Sequence, residues 1–186
     1  MIGNDIIDIK LARLERKSKN HRFLKKVFSQ SEISMIANSQ EPELKLWILW
    51  SMKEAAYKSH QRNYQLPRKL NPLAYTCDHF SFQNAGQVRI GNEVYLINLQ
   101  ITSEYIHSFT CSGRINWKIY PSSTLPKKEL LRQMISDLGY TNEYLEMRKD
   151  QNGIPSLHKK NSLKKIPFSL SHHGDFTALS IPLINC

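Results

Sequence analysis

The chain has 186 residues, of which 40% are hydrophobic and 23% charged, with a net charge of +10. These values exclude wholesale disorder, and the length suffices for one good core or two small, tightly coupled halves. No run of 18 apolar residues occurs, and Asp5 and Asp8 stand where a leader would be basic and then apolar, so a cytoplasmic protein without a membrane span is expected. Cys77, Cys111 and Cys186 are odd in number and show no Cys-x-x-Cys spacing, which predicts reduced thiols and no thiolate metal site. Positive charge is spread along the chain, and such a field favours a polyanion or an acidic protein as partner.

In chain order, residues 1–9 read as a short strand interrupted at Gly3-Asn4, followed by a basic helical stretch over 10–19. The spacing of Phe23, Leu24, Val27 and Phe28 suits an amphipathic helix, and Ser29 or Ser31 can cap a second one. After a loop at 38–42, residues 44–58 are apolar on all sides, the pattern of a helix inside a protein. Beyond Pro67 the texture changes to alternation, with strands predicted over 76–82, 87–90, 94–102 and 105–112 as an antiparallel meander. The stretch from Pro121 to Pro126 is the best internal boundary, separating a half over 1–118 from a smaller one over 119–186. The latter reads as a helix over 127–138 closed by Gly139, a strand over 144–148, a turn at 151–153 and a basic loop over 157–165. Two final apolar runs are joined through Ser171-His172-His173-Gly174-Asp175. The fold class is α+β, antiparallel sheets packed with helices.

Three polar clusters interrupt these apolar settings. Glu54 lies on the buried helix with Trp50 and Lys58 one turn to either side. A plain Glu54–Lys58 pair would supply roughly 0.2 to 0.5 kcal/mol, but a carboxylate among tryptophans needs a cation or it neutralises. Gly3-Asn4-Asp5-Ile6-Ile7-Asp8 sets two carboxylates near a strand end, where caps and turns are common. Asp5 with Glu54 would make an oxygen-only site suited to magnesium, which keeps waters and shares substrate phosphates. Ser171 and His172 offer donors for phosphate oxygens, whereas His173 reads as a satisfied turn residue. Neighbours on a strand face opposite ways, so the two imidazoles do not chelate one metal.

Gly3-x-Asp5, followed by Trp50-x-x-Lys53-Glu54-Ala55-x-x-Lys58, resembles the signature of the 4'-phosphopantetheinyl transferase superfamily. Residues 22–29 with Glu32-Ile33 look like the segment between these motifs in the small holo-acyl-carrier-protein synthases, and Ser169-Leu170-Ser171-His172 resembles the coenzyme A-binding strand of both branches. Two departures stand out. The larger enzymes carry an acid two residues after the Asp, where this chain has Ile7, and Asp8 instead matches the acid of the small type. The family's Gly-Lys-Pro becomes Gly153-Ile154-Pro155, so the contact of that Lys is lost or moved, to Lys149 or to the loop at 159–165.

The resemblance implies transfer of the 4'-phosphopantetheine arm from coenzyme A to a serine of an acidic acyl or peptidyl carrier protein, as in fatty-acid, polyketide or peptide synthesis, releasing 3',5'-ADP. It implies Asp5 and Glu54 as magnesium ligands with Asp8 a weaker third, Glu54 and Lys58 as catalytic groups, and Lys58, Ser171 and His172 as coenzyme A contacts. Motif order suggests a permuted pseudo-dimer of two unequal halves that forms its site within one chain, against the trimer of the small type. Two competing readings are a basic nucleic-acid-binding protein, which leaves Glu54 unexplained, and an inactive homologue that binds carrier protein or coenzyme A.

Overall fold

A computed structural model of the chain describes residues 1–81, 84–121, 127–137, 139, 145–159 and 165–183. Strand β1 (Ile2–Asp8) is buried along its whole length and runs without the expected interruption at Gly3-Asn4. Gly3 serves close approach instead: a Cβ there would overlap the Ala55 carbonyl oxygen and lie 2.7 Å from Ser59 N. Only glycine lets the strand lie this near a helix backbone.

The basic stretch is two pieces, α1 (Ile9–Glu15) and a single 3-10 turn (Lys17–Lys19), parted by Arg16 at φ 48°. The Glu43 carboxylate accepts hydrogen bonds from Lys17 N and Ser18 N, which holds the turn against the first turn of the long helix that begins at Pro42. Helices α2 (His21–Val27) and α3 (Gln30–Ala37) part at Ser29, which closes a capping box with Glu32. The long helix α4 (Pro42–Tyr64) starts with proline in its first turn and ends at Gln65 in the left-handed region.

Strands β2 (Thr76–Ser81), β3 (Ala85–Ile90), β4 (Glu93–Ile101) and β5 (Tyr105–Cys111) form the expected meander, and β1 joins it beside β5 in the order β1-β5-β4-β3-β2, every pair antiparallel. Tyr95, Ile97 and Leu99 face inward at period two and meet Leu49, Met52 and Ala56 of α4 in one core with Ile7 and Ile106. Helix α4 is buried over most of its length because the sheet covers one side and α1 and α3 pack on it as well.

Inside this core Lys53 and Glu32 form an ion pair of 2.7 Å, both side chains fully buried. Lys53 Nζ also donates to the carbonyls of Val27 and Pro72, while Glu32 accepts from Ser29 N and Cys77 N. The pair ties α2, α3 and β2 to α4, and every donor of the ammonium is used. Cys77 is a free thiol, its Sγ 3.7 Å from Leu49 O; the side chains of Cys111 and Cys186, also read as reduced thiols, lie outside the described residues.

The remainder builds two small sheets and a second core. Strands β6 (Ile115–Pro121), β10 (Ser169–His173) and β11 (Phe176–Pro182) pair in the order β10-β11-β6; α5 (Lys127–Asp137) packs below, and β7 (Leu145–Lys149), β8 (Pro155–Lys159) and β9 (Lys165–Pro167) form the third sheet. Leu130, Met134, Leu157, Phe168 and Leu179 fill the core. Strand β6 is not anticipated by the sequence reading, although Ile115, Trp117 and Ile119 alternate with more exposed residues; it is an edge strand whose partner, β11, lies far along the chain. It spans residue 118, so pairing with β11 begins before the boundary placed there. Of the expected basic loop over 157–165, residues 157–159 belong to β8 and 165 to β9, while 160–164 lie outside the described residues, as do 82, 138 and 144 at predicted element ends. Gln61 Nε2 donates to Asn152 O, and Asn152 Nδ2 to Gln65 O, which seats the β7–β8 turn on the end of α4.

The fold is α+β with antiparallel sheets and helices, as expected. Among the described residues no helix is long and apolar enough to cross a membrane.

Candidate functional site

The outer edge of β1 faces β10, and side chains rather than a backbone ladder join them. Asn4 N donates to Ser169 Oγ and Asp8 N to His173 Nδ1, each at 3.0 Å. Ser169, Ser171 and His173 follow period two. The outer two stitch the sheets together; Ser171, between them, is buried, and its Oγ has no partner among the described residues. His173 is thus a joining residue whose ring also meets Trp47 at 5.4 Å.

Asn4 extends the junction inward, donating through Nδ2 to Ala178 O and approaching His107 Nε2 at 3.4 Å. Burial first, and then Lys58, push the His107 imidazole down to about 3, so it is neutral in the folded protein. Folded His107 therefore resists the proton that the unfolded chain accepts below about pH 6.5, and stability is lost as pH falls from there toward 3. His107→Phe keeps the stacking against Phe109 and Trp117 and removes the titration. Urea melts at several pH values should show wild type losing about 1.4 kcal/mol per pH unit more than the variant below that point. Parallel pH profiles would refute this role.

Beside the junction lies a cavity of about 320 Å³ lined by Asp5, Trp50, Glu54, Lys58, Ser171 and His172, among others. It brings together five residues singled out from sequence positions up to 167 apart. Lys58 Nζ donates to Asn4 O at 2.8 Å and to Asp5 Oδ1 at 3.1 Å. The simple Glu54–Lys58 pair is therefore absent: Lys58 turns to β1, and Glu54, half-buried, accepts no hydrogen bond among the described residues. Burial drives the Asp5 carboxyl up and Lys58 opposes it; with Glu54 adding to the rise, Asp5 reaches about 7. One ammonium does not satisfy two carboxylates.

The donor set fits a divalent cation. Among the described residues, Asp5 Oδ2 is buried without a partner and Glu54 lines the same cavity with its carboxylate uncommitted. Among the described residues no group of three His, Cys, Asp or Glu could hold a metal, and at this cavity they offer two carboxylates. Asp8 does not make a third. Its Oδ1 caps α1 by accepting from Leu11 N, and its Oδ2 accepts from Asp175 N, both at 3.0 Å. Burial raises its pKa, but these backbone donors outweigh it and hold the carboxyl below the ordinary aspartate range. Gly174, at φ +52°, has no room for a Cβ against Asp8, so the β10–β11 turn is docked there.

Two more cavities adjoin the first. One, of about 270 Å³, runs under Glu54 and Lys58 past Arg62, Lys149 and Pro155. The other, of about 390 Å³, is a groove between α5 and β10, lined by Leu130, Met134, Lys149, Leu170, Ser171 and His172, among others. Arg68 and Leu170 line all three. Ile154, standing where the family carries Lys, is buried, whereas Lys149 lines two of the cavities. Sequence reasoning missed Arg68, which sits in the polar loop after α4 with no periodicity or motif around it. It also missed Glu32 as the partner of Lys53, since nothing local marks a contact across 21 positions.

The family model of the 4'-phosphopantetheinyl transferase superfamily matches residues 1–111, which include β1, α4 and the whole meander. No curated protein matches the chain. The matched segment covers more than half of the 186 residues and holds Asp5, Glu54 and Lys58, and the chain belongs to the 4'-phosphopantetheinyl transferase superfamily.

Proposed function

We propose that this protein transfers the 4'-phosphopantetheine arm of coenzyme A to a serine of an apo acyl or peptidyl carrier protein, releasing 3',5'-ADP. The observation that carries the reading is the single cavity shared by Asp5, Glu54 and Lys58 with Ser171 and His172. Carboxylates and phosphate donors from opposite ends of one chain also support a pseudo-dimer that completes its site without a second copy.

A divalent cation on Asp5 and Glu54, magnesium by the preference of an all-oxygen pair, would supply charge neutralisation at the pyrophosphate. The protein's own groups do the rest. Lys58 spends two of its three donors on Asn4 O and Asp5 and has the third for a phosphate oxygen. Ser171 Oγ, buried and unpartnered, regains a hydrogen bond when an oxyanion enters. His172, exposed at the cavity rim, serves the nucleotide end. Glu54 accepts the serine proton as the hydroxyl oxygen attacks the phosphorus that bears the pantetheine arm, and the bond from that phosphorus to the bridging oxygen breaks, the bridging oxygen leaving with 3',5'-ADP.

Residues 10–26 carry eight Lys or Arg against one acid, Glu15. They lie on α1, the 3-10 turn and α2, next to the cavity through the Phe23–Trp50 contact at 6.4 Å. An acidic carrier protein fits such a surface and would be steered to it.

The test is mass spectrometry of several apo carrier proteins incubated with this protein, coenzyme A and magnesium. The arm should appear on at least one serine. Binding of coenzyme A with no arm on any carrier would establish an inactive homologue, and salt-dependent binding of nucleic acid without any response to coenzyme A would replace the enzyme reading.

A further inference from the structure

Asn4 is fully buried and stands between Gly3, which lets β1 touch α4, and Asp5. Its main-chain N–H and C=O both point away from β5, as they do at every second residue of an antiparallel edge strand. Strand β10 lies along this edge without a backbone ladder, and Ser169 meets Asn4 N through its hydroxyl. Asn4 O is therefore left for the Lys58 ammonium, which donates to it at 2.8 Å and to Asp5 Oδ1 at 3.1 Å. Among the described residues these two acceptors are what fixes the direction of that ammonium.

The side chain of Asn4 is clamped from two directions. Its Nδ2 donates to Ala178 O of β11 at 3.2 Å and approaches His107 Nε2 of β5 at 3.4 Å. An amide oxygen facing Ala178 O would set acceptor against acceptor, so the NH2 group takes that place, and its second hydrogen needs an unprotonated Nε2. On the same face of β1, Ile2 and Ile6 are buried with no polar group to satisfy. An amide between them leaves Oδ1 buried with no partner among the described residues, a cost that packing alone does not explain.

We infer that Asn4 is a positioning residue for the transfer reaction: its side-chain amide, clamped between β11 and β5, holds the residue-4 carbonyl where it aims Lys58 into the cavity. The inference rests on the transferase reading, in which the third donor of Lys58 meets a phosphate oxygen. Asn4 itself touches no substrate. It ties a strand from the end of the chain to the cation of α4, so the alignment of Lys58 depends on how the small sheet seats on the large one. A displacement of the carbonyl by a fraction of a bond length would be passed to the ammonium directly.

Asn4→Val keeps a β-branched side chain suited to a buried strand and removes the amide, while Asn4→Ala also removes volume. At a temperature where melting curves show each variant folded, both should lower kcat/KM for arm transfer by roughly ten- to a hundred-fold, the loss expected of a displaced group. In a Lys58→Met background the same changes should alter the rate by less than about twofold, since a residue that acts through Lys58 then has nothing to act on. A merely structural contribution would multiply in full. The side-chain nitrogen NMR signal of Lys58, identified by its loss in Lys58→Met, should be sharp in wild type and broaden in Asn4→Val as the ammonium is released to solvent. Lys53, buried with its donors on Val27 O, Glu32 and Pro72 O, is the control whose signal should not change. Near-native transfer by Asn4→Val, a loss undiminished in the Lys58→Met background, or an unaltered Lys58 signal overturns the role of Asn4 and leaves the transferase reading standing. A Lys58 signal that depends on Asn4, in a protein that transfers no arm to any carrier, supports the placement of Lys58 by Asn4 and overturns the transferase reading instead.

Discussion

Glu54→Gln should abolish arm transfer while the protein folds as before. The carboxylate accepts no hydrogen bond among the described residues, and its charge works against ionisation of Asp5, so the isosteric amide removes nothing that the fold relies on. Stability should stay within about 0.5 kcal/mol of wild type. Transfer to a carrier protein should fall by roughly 10²- to 10⁴-fold, the range of a lost general base. The same substitution leaves Asp5 as the lone carboxylate of the cavity, so the thermal shift on adding magnesium should shrink as well. A variant that transfers the arm at near-native rate would remove Glu54 from the chemistry and direct attention to Asp5 or a solvent base.

Its neighbour in the same motif should behave in the opposite way. Lys53→Met leaves Glu32 as a charge with no counter-ion in a site closed to water, and breaking a buried pair on one side costs about 3 to 5 kcal/mol. That is a large part of the stability of a chain this size. Urea unfolding should show the midpoint falling accordingly, with the folded fraction at low temperature still binding coenzyme A with native affinity. The double variant Glu32→Gln with Lys53→Met should recover part of the loss, because the amide oxygen still answers Cys77 N while no charge is stranded. A cost below about 1 kcal/mol for the single change would mean that Glu32 is solvated or protonated in the folded state. Adjacent residues of one motif thus divide the labour: Lys53 points into the core between α2 and β2, and Glu54, about 100° around the helix, faces the cavity.

Much of the site was legible locally. Glu54 and Lys58 are one turn apart, a relation that any helix preserves. Ser169, Ser171 and His173 share a face of any strand, but the division among them into two joints and one uncommitted hydroxyl depends on where β1 lies. Asp8 shows the same limit from the other side. Read along the chain it is an acid spaced like a ligand; folded, both of its oxygens are occupied by the amides of Leu11 and Asp175, the latter 167 residues away.

Gly3 is the sharpest case of a residue whose reason lies in another element. Its neighbours in sequence suggest a bend, yet the strand continues, and the missing Cβ is demanded by the backbone of α4 at Ala55 and Ser59. Strand β6 is similar: Ile115, Trp117 and Ile119 alternate with more exposed residues, but the partner that makes them a strand is β11, far along the chain. What the sequence alone determined was set by periodicity and short-range geometry: the buried helix α4, the meander, the α+β class and the polar residues that stand out against these apolar elements. The tertiary structure alone decided which of those residues meet, that Lys58 pairs with Asp5 and Lys53 with Glu32, and that Arg68 borders all three cavities. Desolvation and the choice of partner are properties of a shared volume, and distant segments acquire a shared volume only when the chain has packed.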